Sequence, residues 1–258
     1  MNFPRPRKRF GQHFLHDPGV IRRIVDTVVP APNVRVVEIG PGRGALTGPL
    51  LERLGTLDAI EIDRDLVAAL SERFGSAGPL QVHSGDVLAF DFCALGAGAP
   101  LRLVGNLPYN ISTPLLFHLY EQAHCIETMV FMVQKEVATR LVAAPGGKDY
   151  GRLSVMIQWR FDVTTLFDVG PGAFRPPPQV DSTVVRLTPR APRTGLNDAG
   201  RFAAVVKAAF AQRRKTLRNA LRDIVDMRAF ERAAVDPNRR AETLSPLEFA
   251  ILANQPIE

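Results

Sequence analysis

The feature that most constrains this chain is the apolar run Val36-Val37-Glu38-Ile39, which ends in Gly40-Pro41-Gly42-Arg43-Gly44-Ala45. Glycines at a strand end let the backbone turn sharply and let a ligand come close, so a β-type run, a glycine turn and a helical pattern together open a βαβ unit. The alternation continues to residue 188. Strands are expected at Arg35–Gly40, Leu57–Asp63, Leu80–Asp86, Leu101–Asn106, Thr128–Gln134, Ser154–Asp168 (bent or interrupted) and Ser182–Leu187. Helices are expected at Ala45–Leu54, Asp65–Phe74, Pro114–Glu121 and Glu136–Ala143. Strands alternating with helices imply an α/β fold of the Rossmann-like kind, a mostly parallel seven-stranded sheet covered on both faces. The last two strand runs lack a helix between them and fit an antiparallel pairing at one edge.

After Leu187 the texture changes. Thr188-Pro189-Arg190-Ala191-Pro192-Arg193-Thr194-Gly195 is rich in breakers and reads as a linker. Beyond it only helical spacing recurs, at Phe202, Val205, Val206, Ala209 and Phe210 and again at Leu217, Leu221 and Ile224. Ser245-Pro246 reads as a helix start. These patterns give a domain of residues 1–190 with a basic N-terminal tail and a small all-helical domain of residues 191–258.

Charge is unevenly placed. Residues 1–23 carry six Lys/Arg against one Asp, 190–258 thirteen against eight, and 24–189 thirteen against seventeen, for a net +6. Basic flanks around an acidic middle fit a polyanion held at the ends, and equally a solvated basic surface. No apolar run reaches the ~20 residues that cross a bilayer. The basic N-terminus lacks the apolar stretch of a secretory signal, so Asn110-Ile111-Ser112 is not expected to carry a glycan. Cys93 and Cys125 form no CxxC pair, so neither a disulfide framework nor a zinc site is expected, and a reducing, cytoplasmic setting follows.

Gly40, Gly42 and Ala45 satisfy G-x-G-x-x-[GA], and Glu61 ends the second strand where a carboxylate reaches a ribose diol. That pattern fits NAD and S-adenosylmethionine alike, or a tight βα turn without a ligand. Two residues tilt it away from NAD. Pro41 removes an N–H from a loop that would cradle a pyrophosphate. Glu38 sets a carboxylate before the glycines, which would repel phosphate and suits a cationic amino-acid ligand. Asp86, ending the third strand, can accept from an adenine amine or serve only as a turn residue.

The fourth strand ends in Asn106-Leu107-Pro108-Tyr109-Asn110. An adenine amine is a poor nucleophile because its lone pair is delocalised into the ring. Acceptors for its two N–H groups would draw density back and orient it, and an Asn oxygen with a backbone carbonyl can do so. Pro108 stiffens the chain beside that carbonyl. Tyr109 offers a face for a base. A sulfonium leaves readily, so positioning and preorganised dipoles suffice, with no metal. Read in isolation, the same residues make a strand end capped by a turn.

Taken together these strings resemble the bacterial ribosomal RNA small-subunit adenine dimethyltransferases, relatives of the erythromycin-resistance rRNA methyltransferases. The resemblance runs through Gly11-Gln12-His13-Phe14-Leu15, EIGPGRGALT, Glu61-Ile62-Asp63, Gly85-Asp86, NLPYNISTPLL, YGRLSVM from Tyr150, Phe174 to Ser182, and AFAQRRKTLRNAL from Ala209. It implies S-adenosylmethionine as cofactor, held by His13, Leu15, Gly40, Glu61, Asp86 and Asn106. It implies a catalytic set of Asn106, Leu107, Pro108, Tyr109 and Phe174, with the target base stacked between Tyr109 and Phe174. Position 13 is often Asn in relatives. The implied substrate is the small-subunit (16S) rRNA of an immature subunit, with two adjacent adenosines of the 3′-terminal hairpin loop each methylated twice. The base would have to leave the folded RNA to react. A monomer with no obligatory protein partner is expected.

Gln212–Asp223 is cleanly two-sided if it is helical. Leu217, Leu221 and Ile224 form its apolar stripe, and Arg214, Arg218 and Arg222 recur on another face beside Arg213 and Lys215. Together with Arg5, Arg7, Lys8 and Arg9 in an N-terminal tail expected to be mobile until RNA binds, these fit phosphate contacts; a solvated cationic face is the alternative. His13 and His16 have no third ligand near them, and Gly146-Gly147-Lys148 lacks the spacing of a P-loop. An NAD-dependent oxidoreductase would leave NLPYN unexplained. A non-enzymatic RNA-binding or assembly factor would not need Asn106 and Tyr109 intact.

Overall fold

The computed structural model describes residues 12–75, 79–191 and 195–256. The basic residues Arg5, Arg7, Lys8 and Arg9, Gly11 and part of the 188–195 linker lie outside them.

Seven strands form one sheet in the order β4-β3-β2-β5-β6-β9-β7. These are β2 (Arg35–Ile39), β3 (Leu57–Glu61), β4 (Leu80–Ser84), β5 (Leu101–Asn106), β6 (Ile126–Gln134), β7 (Phe161–Val169) and β9 (Ser182–Pro189). Strands β2 to β6 pair in parallel, whereas β9 runs antiparallel to β6, with Phe131 opposite Val185. The antiparallel strand thus sits one position in from the edge, outside it only β7. Val37, Ile39, Ala59, Ile60, Leu103, Val104, Met129 and Phe131 are almost fully buried. A sheet covered on both faces needs such continuous apolar strands.

Around it lie α1 (Pro18–Thr27), α2 (Thr47–Leu54), α3 (Arg64–Phe74), α4 (Phe92–Gly96), α5 (Ser112–Glu121) and α6 (Lys135–Val142). Asp17 starts α1 by accepting from the Val20 N–H, with Pro18 at the first helical position. A two-stranded antiparallel ribbon joins β1 (Phe14–Leu15) to β8 (Phe174–Arg175), with Leu15 opposite Phe174.

Packing divides the described residues into two compact units: those through Ala138 with Val163–Pro189, and Thr139–Asp162 with Arg190 onward. One chain crossing falls at the linker expected from sequence. Residues 139–162, assigned by sequence to the first domain, pack with the helical unit instead. That unit holds α7 (Arg152–Arg160), α8 (Ala199–Ala211), α9 (Leu217–Ala220), α10 (Met227–Arg232) and α11 (Pro246–Ala253). Trp159 of α7 meets Phe202 of α8 at 5.2 Å between ring centroids. Ser245 and Glu248 cap α11 reciprocally, as the Ser-Pro signal implied.

Three sequence expectations fail here. Arg152–Arg160 is a helix, not the first half of a strand running to Asp168. Leu153, Val155, Met156, Ile157 and Trp159 are all buried, and a helix apolar on every side shows no 3.6-residue period to tell it from a strand. Gln212–Asp223 is not one helix: α8 stops at Ala211, turns follow, and α9 has four residues. Leu217 and Leu221 are buried all the same, so the apolar stripe reported burial rather than a continuous helix. The third concerns the cysteines. Cys93 on α4 and Cys125 just before β6 are disulfide-bonded, with Cα atoms 5.4 Å apart. Their separation of 32 residues hides a proximity that only the packing of α4 beside the entry to β6 creates.

Candidate active site

The C-terminal ends of β2, β3, β4 and β5 converge, because parallel strands end at the same side of a sheet. They line a cavity of about 240 Å³ bounded also by the segment around β1. His13, Leu15, Gly40, Glu61, Asp86, Asn106, Leu107, Pro108 and Tyr109 all border it. Residues nearly a hundred positions apart are brought together in one place. Phe174 does not border it.

Each of the three loop glycines already has a partner for its N–H. Gly40 N–H donates to the Ile60 carbonyl and Gly44 N–H to that of Pro41. Gly42 N–H donates to Glu61 Oε2, and Pro41 has no N–H. Gly42 sits at φ +58°, and a Cβ there would meet the Phe14 ring at 3.2 Å. Glycine is therefore required both for the turn and for the approach of β1. The Arg43 guanidinium lies over the same Phe14 ring, 4.4 Å from its centroid.

Glu61 is buried, and its Oε1 accepts from the Ile62 and Asp63 N–H groups at 3.0 Å each. Burial pushes its carboxyl above the usual range against the pull of these hydrogen bonds. Asp86 is exposed, with Oδ1 accepting from the Leu88 N–H. Glu38 is 1% exposed and accepts from the Thr47 hydroxyl at 2.7 Å. Its burial raises the carboxyl to about 8. Such a shift favours the uncharged form at neutral pH, so the expected repulsion of phosphate by Glu38 carries less of the argument. The case against a pyrophosphate rests instead on Pro41, which has no N–H, and on the engaged Gly40, Gly42 and Gly44 N–H groups.

At the tip of β5, Asn106 Nδ2 donates to the His13 carbonyl at 3.0 Å. This fixes the amide and leaves Oδ1 as its acceptor. The Pro108 carbonyl is already engaged by the Ile111 N–H and the Ser112 hydroxyl. Of the two carbonyls flanking the proline bond, Leu107's is the one suited to an amine. Tyr109 is half-buried, its hydroxyl 2.9 Å from Ser182 Oγ, and burial raises its phenol. The His13 ring stacks on Tyr109 at 5.5 Å and an interplanar angle of 28°, while its Nδ1 donates to the Pro176 carbonyl at 2.8 Å.

Phe174 lies in the core beside the cavity-lining Leu15. It is 2% exposed within the core cluster that includes Leu15, Ile24, Val104 and Val184. In β8 the side chains alternate, so with Arg175 exposed Phe174 turns inward. Among the described residues, His13 is the ring that stacks on Tyr109. Sequence reasoning also missed Ser182, which opens β9 after a stretch rich in prolines and polar residues and gives no local sign of its partner. Ile62, which is 48% exposed and borders the cavity beside Glu61, was missed too, since its exposure is written in the fold and not in the sequence. Among the described residues, no helix is long and apolar enough to cross a membrane.

A profile of the family described as ribosomal RNA adenine dimethylase matches residues 4–256. The chain is 56% identical over 255 residues to ribosomal RNA small subunit methyltransferase A of Aromatoleum aromaticum, covering 98% of this chain and 95% of that one. It is 56% identical over 250 residues to the protein of the same name from Methylococcus capsulatus, covering 97% of each. Among solved structures it resembles a dimethyladenosine transferase from Plasmodium falciparum, with TM-score 0.80, 26% identity and 93% and 96% of the two chains covered. It also resembles the 23S rRNA methyltransferase ErmE, with TM-score 0.69, 29% identity and 93% and 98% covered.

Proposed function

The chain belongs to the ribosomal RNA adenine dimethylase family, and on that premise we propose how its residues carry out the reaction. It is an enzyme that dimethylates adenine in small-subunit ribosomal RNA during ribosome biogenesis. The substrate amines are those of two adjacent adenosines in the 3′-terminal hairpin loop of 16S rRNA, presented on immature subunits. A substrate made in the cytoplasm places the protein there.

The cofactor we assign is S-adenosylmethionine, which when bound supplies an electrophilic methyl group on a sulfonium. The residues present fit it. Glu61 and Asp86 furnish carboxylate acceptors for a ribose diol and an adenine amine, and Ile62 and Leu88 supply apolar walls. In the loop that would have to cradle a pyrophosphate, Pro41 has no N–H and those of Gly40, Gly42 and Gly44 are turned to internal partners, which disfavours NAD.

Asn106 carries the chemical reading. With Nδ2 committed to the His13 carbonyl, Oδ1 accepts one N–H of the target amine, and the Leu107 carbonyl accepts the other. Both hydrogen bonds return electron density to the nitrogen and hold it in line for attack. Tyr109 gives the base a face, and its hydroxyl is anchored on Ser182. Basic residues of the helical unit hold phosphate and shape rather than sequence.

Labelled methyl transfer onto purified immature small subunits, with nucleoside analysis of the digested RNA, tests the reading. Wild type is expected to yield dimethyladenosine. Asn106→Ala is expected to abolish transfer while leaving RNA binding nearly intact; equal loss of both would remove Asn106 from the role given to it. Equilibrium dialysis that retained NAD and not S-adenosylmethionine would overturn the cofactor.

A further inference from the structure

Away from the cavity, three groups with no part in methyl transfer meet on the first unit. Cys93 Sγ, Cys125 Sγ and a ring nitrogen of His124 all lie within 4.8 Å of one another. His124 Nε2 stands 3.4 Å from Cys93 Sγ. In a tetrahedral zinc site with Zn–S of ~2.3 Å and Zn–N of ~2.0–2.1 Å, a sulfur and a nitrogen ligand are about 3.5 Å apart. The observed separation already matches that edge.

The scaffold around the three is fixed by a neighbour. Gln122 Oε1 accepts from the Phe92 and Cys93 N–H groups at 2.7 and 3.3 Å, and its Nε2 donates to the Phe90 carbonyl at 3.0 Å. The segment bearing Cys93 is thereby pinned to the turn bearing His124 and Cys125. The Gln122 carbonyl oxygen lies 3.1 Å from Cys125 Sγ and 3.7 Å from Cys93 Sγ, placed to accept the proton of either thiol. His124 is exposed and the two cysteines are half-buried, so an ion can reach the sulfurs from solvent.

We propose that reduction of the Cys93–Cys125 bond opens a zinc site made of the two thiolates and His124, so that this corner closes in one of two exclusive ways, by disulfide or by metal. Thiolate with imidazole selects thiophilic ions, zinc above all in a cell. The opening step is thiol–disulfide exchange with a small thiol. Two equivalents of RSH each give up one electron and one proton, the Cys93–Cys125 bond becomes two thiols, and RSSR leaves. Zinc then takes the place of the two thiol protons, which pass to solvent. The fourth coordination position is left to water. The Cα separation of 5.4 Å lets side-chain rotation alone carry the sulfurs from bonding distance to the ~3.8 Å of two zinc ligands.

The test uses the full chain, reduced with a phosphine that is then removed, and titrated with Co²⁺ as a spectroscopic stand-in and with Zn²⁺. Reduced protein is expected to bind one Co²⁺ with thiolate-to-metal charge-transfer absorption that Zn²⁺ bleaches, and the unreduced protein is expected to show none. Cys93→Ser and Cys125→Ser should each remove the band, and His124→Ala should weaken binding by more than the roughly ten- to hundred-fold that outer-shell changes cost. Zn²⁺ should also protect both thiols of the reduced wild type from iodoacetamide, read by mass, a measurement that needs no variant to fold. Absence of the band in reduced wild type, its persistence in the Cys93→Ser Cys125→Ser double variant, or alkylation unaffected by Zn²⁺ overturns the proposal.

Discussion

The Tyr109 hydroxyl and Ser182 Oγ stand 2.9 Å apart, tying the tip of β5 to the first residue of β9 across 73 positions of sequence. Ser182 is fully buried and faces Gln134 in the β6–β9 ladder, so the rigid sheet holds the ring that receives the base. A neutral hydrogen bond contributes about 0.5–1.5 kcal/mol. Ser182→Ala is therefore expected to lower kcat by roughly two- to tenfold with the Kd for S-adenosylmethionine unchanged. Tyr109→Phe should cost the same, and the double variant no more than either. Additive losses in that cycle would show that the pair does not act as a unit.

Glu38 predicts a pH dependence of stability with a definite sign. Its carboxyl lies near 4.5 when unfolded and near 8 when folded, so between these values the native state binds the extra proton. Stability from this group is greatest below about 4.5 and falls as pH rises toward 8. The slope is about 1.4 kcal/mol per pH unit at most. Glu38→Gln keeps an acceptor for Thr47 and removes the titration. Thermal melts of the two proteins from pH 5 to 8 should diverge, the variant gaining steadily relative to wild type; parallel curves would mean that Glu38 is ionised when buried.

Phe174 distinguishes a packing role from a stacking role. As a core side chain, Phe174→Ala is expected to cost about 3–5 kcal/mol of stability, read by denaturant unfolding. A side chain lying free to stack on a base would cost little stability and chiefly raise KM for the RNA.

Exposed Arg214, Lys215 and Arg218 are expected to meet phosphate. Arg213 is instead held by the Lys148 and Tyr150 carbonyls and lies 3.8 Å from Glu242. Replacing the first three with Ala should weaken RNA binding at every sequence and lower the salt-dependence slope by up to about three. Arg213→Ala should act mainly on the stability of the helical unit. A salt slope unchanged by the triple replacement would move the RNA contacts elsewhere.

Sequence alone determined the parallel sheet, the glycine turn, the carboxylate ending β3 and the Asn-Leu-Pro-Tyr strand end, because each is written within a few consecutive residues whose period or chemistry is local. Glu61 and Asn106 could be named as acceptors from their places at strand ends, since parallel strands must deliver those ends to one side. Tertiary structure alone decided what depends on residues far apart in the chain. Burial from all sides turned 152–160 into a helix, inward pleating buried Phe174 in the core cluster, His13 came to stack on Tyr109, and desolvation raised the Glu38 carboxyl. The same long-range packing brought Cys93 to Cys125 and Ser182 to Tyr109, since hydrogen bonds and disulfides answer to distance in space, which spacing along the chain does not encode.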